Sequence, residues 1–150
     1  MQHEKALELA AAAPTWGRSA AFGGSWCNQM GSTMDLVVRG TAVTGSYESL
    51  SRSEAPPVVG EVIGYTIGDL ISFMVLWEGS ITAWVGQMID EDTETPKIRT
   101  LWHMVTEVPD ADEPKYLWVS TYSGADEFER LPPWDTLDSE GRPTGGEAPE

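Results

Sequence analysis

Residues 69–89 read DLISFMVLWEGSITAWVGQMI, and the alternation within them decides the fold class. Successive side chains on a strand point to opposite faces. Over 69–77 one face carries Phe73, Val75 and Trp77, and the other carries Ser72, Met74 and Leu76. Over 80–89 one face carries Ser80, Thr82, Trp84 and Gly86, and the opposite one Ile81, Ala83, Val85 and Ile89. Between the two runs stands only Glu78-Gly79, where glycine supplies the positive φ that a tight hairpin needs. The segment therefore reads as two antiparallel strands joined by a very short turn.

The same pattern extends outward in both directions. Further runs lie at 24–29, 33–38, 41–48, 57–65, 97–106 and 116–130, separated by turn signals such as Arg39-Gly40. Over 97–106, Thr100, Trp102 and Met104 share one face against Leu101, His103 and Val105. Eight strands at a spacing of about ten residues, with no helical stretch between them, predict an all-β meander. Its simplest closure is an eight-stranded antiparallel up-and-down β-barrel, which removes exposed sheet edges. A sandwich of the same strands is the alternative.

One face of these strands mixes Trp with small hydroxyls, which makes a poor plain core, because buried hydroxyls cost free energy unless paired. It makes a good small-molecule pocket, in which aromatic walls supply area and a few polar groups set orientation. The aliphatic outer face calls for a subunit interface, since so wide an apolar surface is unusual on a monomer.

Composition narrows the function. The 150 residues hold 41% apolar residues, enough for one core, and seven Trp. Nine Lys and Arg against 24 Asp and Glu leave a net charge of −15, which argues against nucleic-acid and anionic-membrane partners. The single cysteine, Cys27, excludes an internal disulfide and a Cys-based zinc cluster. The apolar runs are too short to span a bilayer. Residues 1–22 read as an N-terminal arm, with a short helix from Lys5 through the alanines ended by Pro14 and Gly17. Residues 23–130 form the barrel. Residues 131–150 are an acidic, Pro/Gly-rich tail, extended or disordered, in which Trp134 is the one large apolar residue. A second reading of the tail docks Leu131-Pro132-Pro133-Trp134 on the barrel or at a neighbour's pocket mouth.

Five motifs then align with one family. Ser25-Trp26-Cys27-Asn28-Gln29-Met30-Gly31-Ser32-Thr33 resembles the first-strand signature of the avidin/streptavidin family. Thr44-Gly45-Ser46-Tyr47-Glu48-Ser49 resembles its third strand, and Ser80-Ile81-Thr82-Ala83-Trp84-Val85-Gly86-Gln87 its sixth. Trp102 fits the seventh, and Trp118 with Gly124-Ala125-Asp126-Glu127-Phe128 the eighth. The motifs are collinear over about residues 24–130.

The resemblance implies high-affinity, non-covalent biotin binding in the open end of the barrel, with no catalysis, cofactor or metal. Asn28, Ser32 and Tyr47 would donate to the ureido oxygen, and Ser49 and Asp126 would accept from the ureido N–H groups. Thr82 would meet the thiophane sulfur and Ser80 the valerate carboxylate. Trp77, Trp84 and Trp102 would wall the ring system, with Met104 beside them. Trp118, at the start of the last strand, would come from a neighbouring subunit, which favours a homotetramer over a dimer. Family habit also implies secretion or a periplasmic location, although residues 1–22 make a poor signal peptide.

Several residues read as structural. Trp26 is expected to plug the closed end, Cys27 to pack away from the pocket and His103 to lie on the outer face. Asp90–Glu94 is expected to be a solvated turn. Two departures from the family stand out: the Trp77–Ser80 connection is far shorter than usual, and the loop after Ser49 is slightly short. Both touch the end of the pocket that would hold the ligand's tail. A lipocalin-like carrier of another apolar ligand is the alternative, on the weak Gly24-Ser25-Trp26 start.

Overall fold

The computed structural model describes residues 1–12, 20–50 and 56–132. Eight strands close into one antiparallel barrel in chain order, β1 to β8, each paired with its sequence neighbour and β8 with β1. They are β1 Gly24–Asn28, β2 Thr33–Arg39, β3 Ala42–Ser49, β4 Val58–Ile67, β5 Leu70–Trp77, β6 Ser80–Ile89, β7 Lys97–Thr106 and β8 Thr121–Arg130. The up-and-down barrel read from the alternation is thus the observed fold.

Two-residue turns set the register where glycine takes positive φ. Trp77 pairs with Ser80 across Glu78-Gly79 (Gly79 φ 71°), and Arg39 pairs with Ala42 across Gly40-Thr41 (Gly40 φ 62°). A third such turn, Gly68-Asp69, joins β4 to β5 and has the same chemistry (Gly68 φ 57°).

The inward faces are those the alternation predicted. Phe73, Val75, Thr82, Trp84, Ile98 and Thr100 are buried, whereas Met74, Leu76, Ile81, Val85, Leu101 and Val105 are exposed. His103 is exposed on the outer face, and Cys27 is half-buried on the outward side of β1. Residues 90–94 form an irregular, largely exposed turn.

Trp26 fills the floor. It is fully buried, its indole N–H donates to Phe22 O at 2.9 Å, and the Arg130 guanidinium lies 4.2 Å from its ring centroid. Here the structure corrects the expected boundary at residue 23. Ala20 and Phe22 are buried in the core, and Ala20 N–H donates to Gly68 O at 3.0 Å. Arg130 binds the carbonyls of Gly23 and Ala21. The chain ahead of β1 is therefore a strap across the closed end, because an apolar Phe22 has a barrel floor to fill and its flanking carbonyls have a cation to bind. Farther upstream α1 (His3–Ala11) forms the expected short helix and buries no residue.

The second correction lies ahead of β8. The run 116–130 is not one strand: α2 (Glu113–Tyr116) and a 3-10 turn at Leu117–Val119 precede a strand that starts at Thr121. Pro114 at the helix start explains the change, because its fixed φ suits a first helical turn and it has no N–H for a sheet ladder. Trp134 and the rest of the tail from residue 133 onward lie outside the described residues.

Candidate functional site

The ends of β1, β3, β5 and β7 surround a cavity of about 470 Å³ opposite the Trp26 floor. Eleven of the twelve residues singled out in the sequence line it. Asn28, Ser32, Tyr47, Ser49 and Asp126 supply its polar groups. Trp77, Trp84, Trp102 and Met104 supply walls, with Ser80 and Thr82 between them. The twelfth, Trp118, does not line it. Its ring is 80% exposed on the 3-10 turn, with its N–H donating to Lys115 O at 2.9 Å.

The aromatic walls are locked to one another. Tyr47 stacks on Trp84 at 5.1 Å between centroids and meets Trp77 edge-on at 5.8 Å. Phe73, one layer down, stacks on Trp84 at 5.0 Å. Trp77 Nε1 donates to Thr82 Oγ1 at 2.9 Å and Trp84 Nε1 to Asp126 Oδ2 at 3.0 Å, so both indoles have polar anchors as well as area.

The polar groups are equally constrained. Asn28 Oδ1 accepts from Met30 N at 3.0 Å and Ser32 N at 2.9 Å, which folds the β1–β2 turn and aims Nδ2 at the Tyr47 hydroxyl, 3.3 Å away. Ser32 Oγ accepts from Leu50 N at 3.2 Å. Burial pushes the Tyr47 phenol well above its ordinary pKa, the Asp126 charge adds to the rise, and a hydrogen bond with Ser32 opposes it. Tyr47 therefore stays a donor at any physiological pH. Asp126 is almost wholly buried. It accepts from Trp84 Nε1 at 3.0 Å and from Gln29 Nε2 at 3.0 Å.

Some contributors were not legible as site residues. Met30, Leu50 and Val58 line the mouth, yet only their place on connecting ends of strands marks them. Gln29 clasps β8 through Ala125 O, Asp126 and Glu127 N. Gly60 and Gly124 make room for rings: a Cβ on Gly124 would stand 2.6 Å from Trp102 Cζ2, and one on Gly60 2.9 Å from Trp77 Cζ3. Their signal is a glycine in mid-strand, which marks close approach.

No group of His, Cys, Asp and Glu that could hold a metal occurs among the described residues. The one carboxylate among the described lining residues, Asp126, is tied to an indole and an amide. Converging donors beside an aromatic box suit a small planar ligand with one strong acceptor and N–H groups.

A model of the avidin family matches residues 17–131. The chain belongs to the avidin family. Members of that family are non-enzymatic binding proteins, and membership implies biotin as the ligand. Among solved structures, xenavidin is 25% identical over 76% of this chain and 100% of its own, with a TM-score of 0.64. A shwanavidin variant in complex with biotin is 27% identical over 75% of this chain and 100% of its own, with a TM-score of 0.59. The biotin-binding protein from chicken shares the fold, at 22% identity over 77% of this chain and 100% of its own and a TM-score of 0.64. A search of curated proteins found no match. For an avidin-family chain, the two-residue Glu78-Gly79 turn is the feature to follow, because it lies at the mouth.

Proposed function

We propose that this protein binds biotin tightly, reversibly and without covalent bonds at the open end of its barrel. The observation that carries this reading is the convergence of Asn28, Ser32, Tyr47, Ser49 and Asp126 on one cavity walled by Trp77, Trp84 and Trp102. Asn28, Ser32 and Tyr47 donate to the ureido oxygen, where three donors favour charge building on one atom. Ser49 and Asp126 accept from the two ureido N–H groups, the latter with charge assistance. Thr82 meets the thiophane sulfur and Ser80 the tail. Calorimetry, or quenching of the pocket Trp fluorescence, tests the reading. Saturable binding of one biotin per chain supports it, and no saturable signal at micromolar protein overturns it.

The reading extends to assembly. Ile81, Val85, Leu101 and Val105 are 47%, 63%, 67% and 51% exposed and form one aliphatic surface across β6 and β7. Trp118, which has no ring partner in its own barrel among the described residues, completes a neighbour's pocket in a homotetramer.

A further inference from the structure

We infer that the site prefers biotin whose carboxyl group is masked as an amide, as in biotin joined to a lysine side chain, over free biotin. The inference rests on the biotin reading above and concerns the end of the cavity where the tail emerges.

Two observations carry it. First, the mouth offers little to a carboxylate. Met30, Leu50, Val58 and Met104 are apolar, Ser49 and Ser80 are neutral, and none of the described lining residues is cationic. The two-residue turn between β5 and β6 leaves no longer loop there to fold back over an anionic tail.

Second, the connections at this end of the barrel are acidic. Among the described residues they carry Glu78, Glu107, Asp110, Asp112 and Glu113 against one cation, Lys115. Glu78 sits in the turn between two cavity-lining residues, Trp77 and Ser80. Glu107 is held beside it, because its N–H donates to Gly79 O at 2.9 Å.

A carboxylate leaving the pocket through this rim meets like charge at close range in a partly desolvated setting. A neutral amide at the same position does not, and it keeps both a donor and an acceptor for Ser80. The ring system and its partners deep in the cavity are common to both ligands, so the rim alone sets the difference.

The test compares biotin, biotinamide and a capped peptide bearing one biotinylated lysine, by competition at about 20 mM and about 500 mM NaCl. The expected result is that both amides bind at least as tightly as biotin at low salt, with a ratio of up to roughly tenfold that shrinks at high salt as the rim is screened. Glu78→Lys with Glu107→Lys should reverse the order at low salt. Free biotin bound tenfold or more tightly than the amides, with no salt dependence, overturns the inference and leaves the biotin reading intact. Arg52→Ala weakening free biotin but not the amides reveals a cation at the tail, which also overturns it. No binding of any of the three overturns the biotin reading itself.

Discussion

Asp126 holds two donors at once, the Trp84 indole and the Gln29 amide, while facing the cavity. Asp126→Ala should therefore weaken biotin by about 1.5–3 kcal/mol, or roughly ten- to a hundredfold in Kd, as calorimetry would show. Asp126→Asn, which keeps one acceptor, should fall between. Gly124→Ala acts from behind the wall: its Cβ would stand 2.6 Å from Trp102, so the ring must shift into the ligand's space. Loss of affinity with at most about 1–3 kcal/mol of destabilisation is expected, measured by titration and urea unfolding. Tyr47 gives a pH prediction. Its folded pKa is raised above the unfolded value near 10, so folding binds its proton more tightly. That contribution is fully present below about pH 10 and is lost as pH rises further. Tyr47→Phe should flatten the alkaline fall of the urea midpoint, and equal slopes in the two proteins would refute the assignment. At this scale the sequence was a good guide wherever alternation fixed a side chain inward, as at Thr82, Trp84 and Trp102. It was silent on Gln29, whose reach to β8 depends on which strand closes the barrel, and on Leu50 and Val58, which face the mouth only because β3 and β4 end there.

Elements reveal where periodicity stops informing. The strands were legible because a barrel with one buried face imposes a period of two. The Ala20–Gly23 strap was not, because three or four residues carry no period, and Phe22 amid alanine and glycine has no patterned neighbours. The same limit hid α2: one helical turn is too short to show a 3.6-residue repeat, although Pro114 marked its start. The strap makes its own prediction. Phe22→Ala should cost about 3–5 kcal/mol by leaving a hole under Trp26, seen as a lower denaturant midpoint. Removing residues 1–12 should leave that midpoint unchanged, since α1 buries nothing. Equal effects from the two changes would show that the strap does not support the floor.

The molecule as a whole divides its surface sharply. Outward side chains of β4 to β7 include Val59, Ile63, Tyr65, Met74 and Leu76 beside the aliphatic strip, all exposed, whereas β8 turns Glu127 and Glu129 outward to Lys97 and Arg99. Burying the apolar half stabilises association by about 25 cal/mol per Å² before the costs of ordering. Light scattering should give a tetramer for the wild type, and Trp118→Ala should shift it toward dimers while speeding biotin release. A wild-type dimer, or a variant unchanged in both mass and off-rate, would rule out the shared tryptophan. The strap has one more consequence. Ala20 enters the barrel at Gly68, and Leu131 leaves it at Ser25, both on the floor side. Either flank of the domain can therefore be tethered to a bead, an electrode or a fused enzyme without turning the mouth toward the support. Capture capacity on such a surface should match that in solution, whereas attachment through Glu78 should blind it.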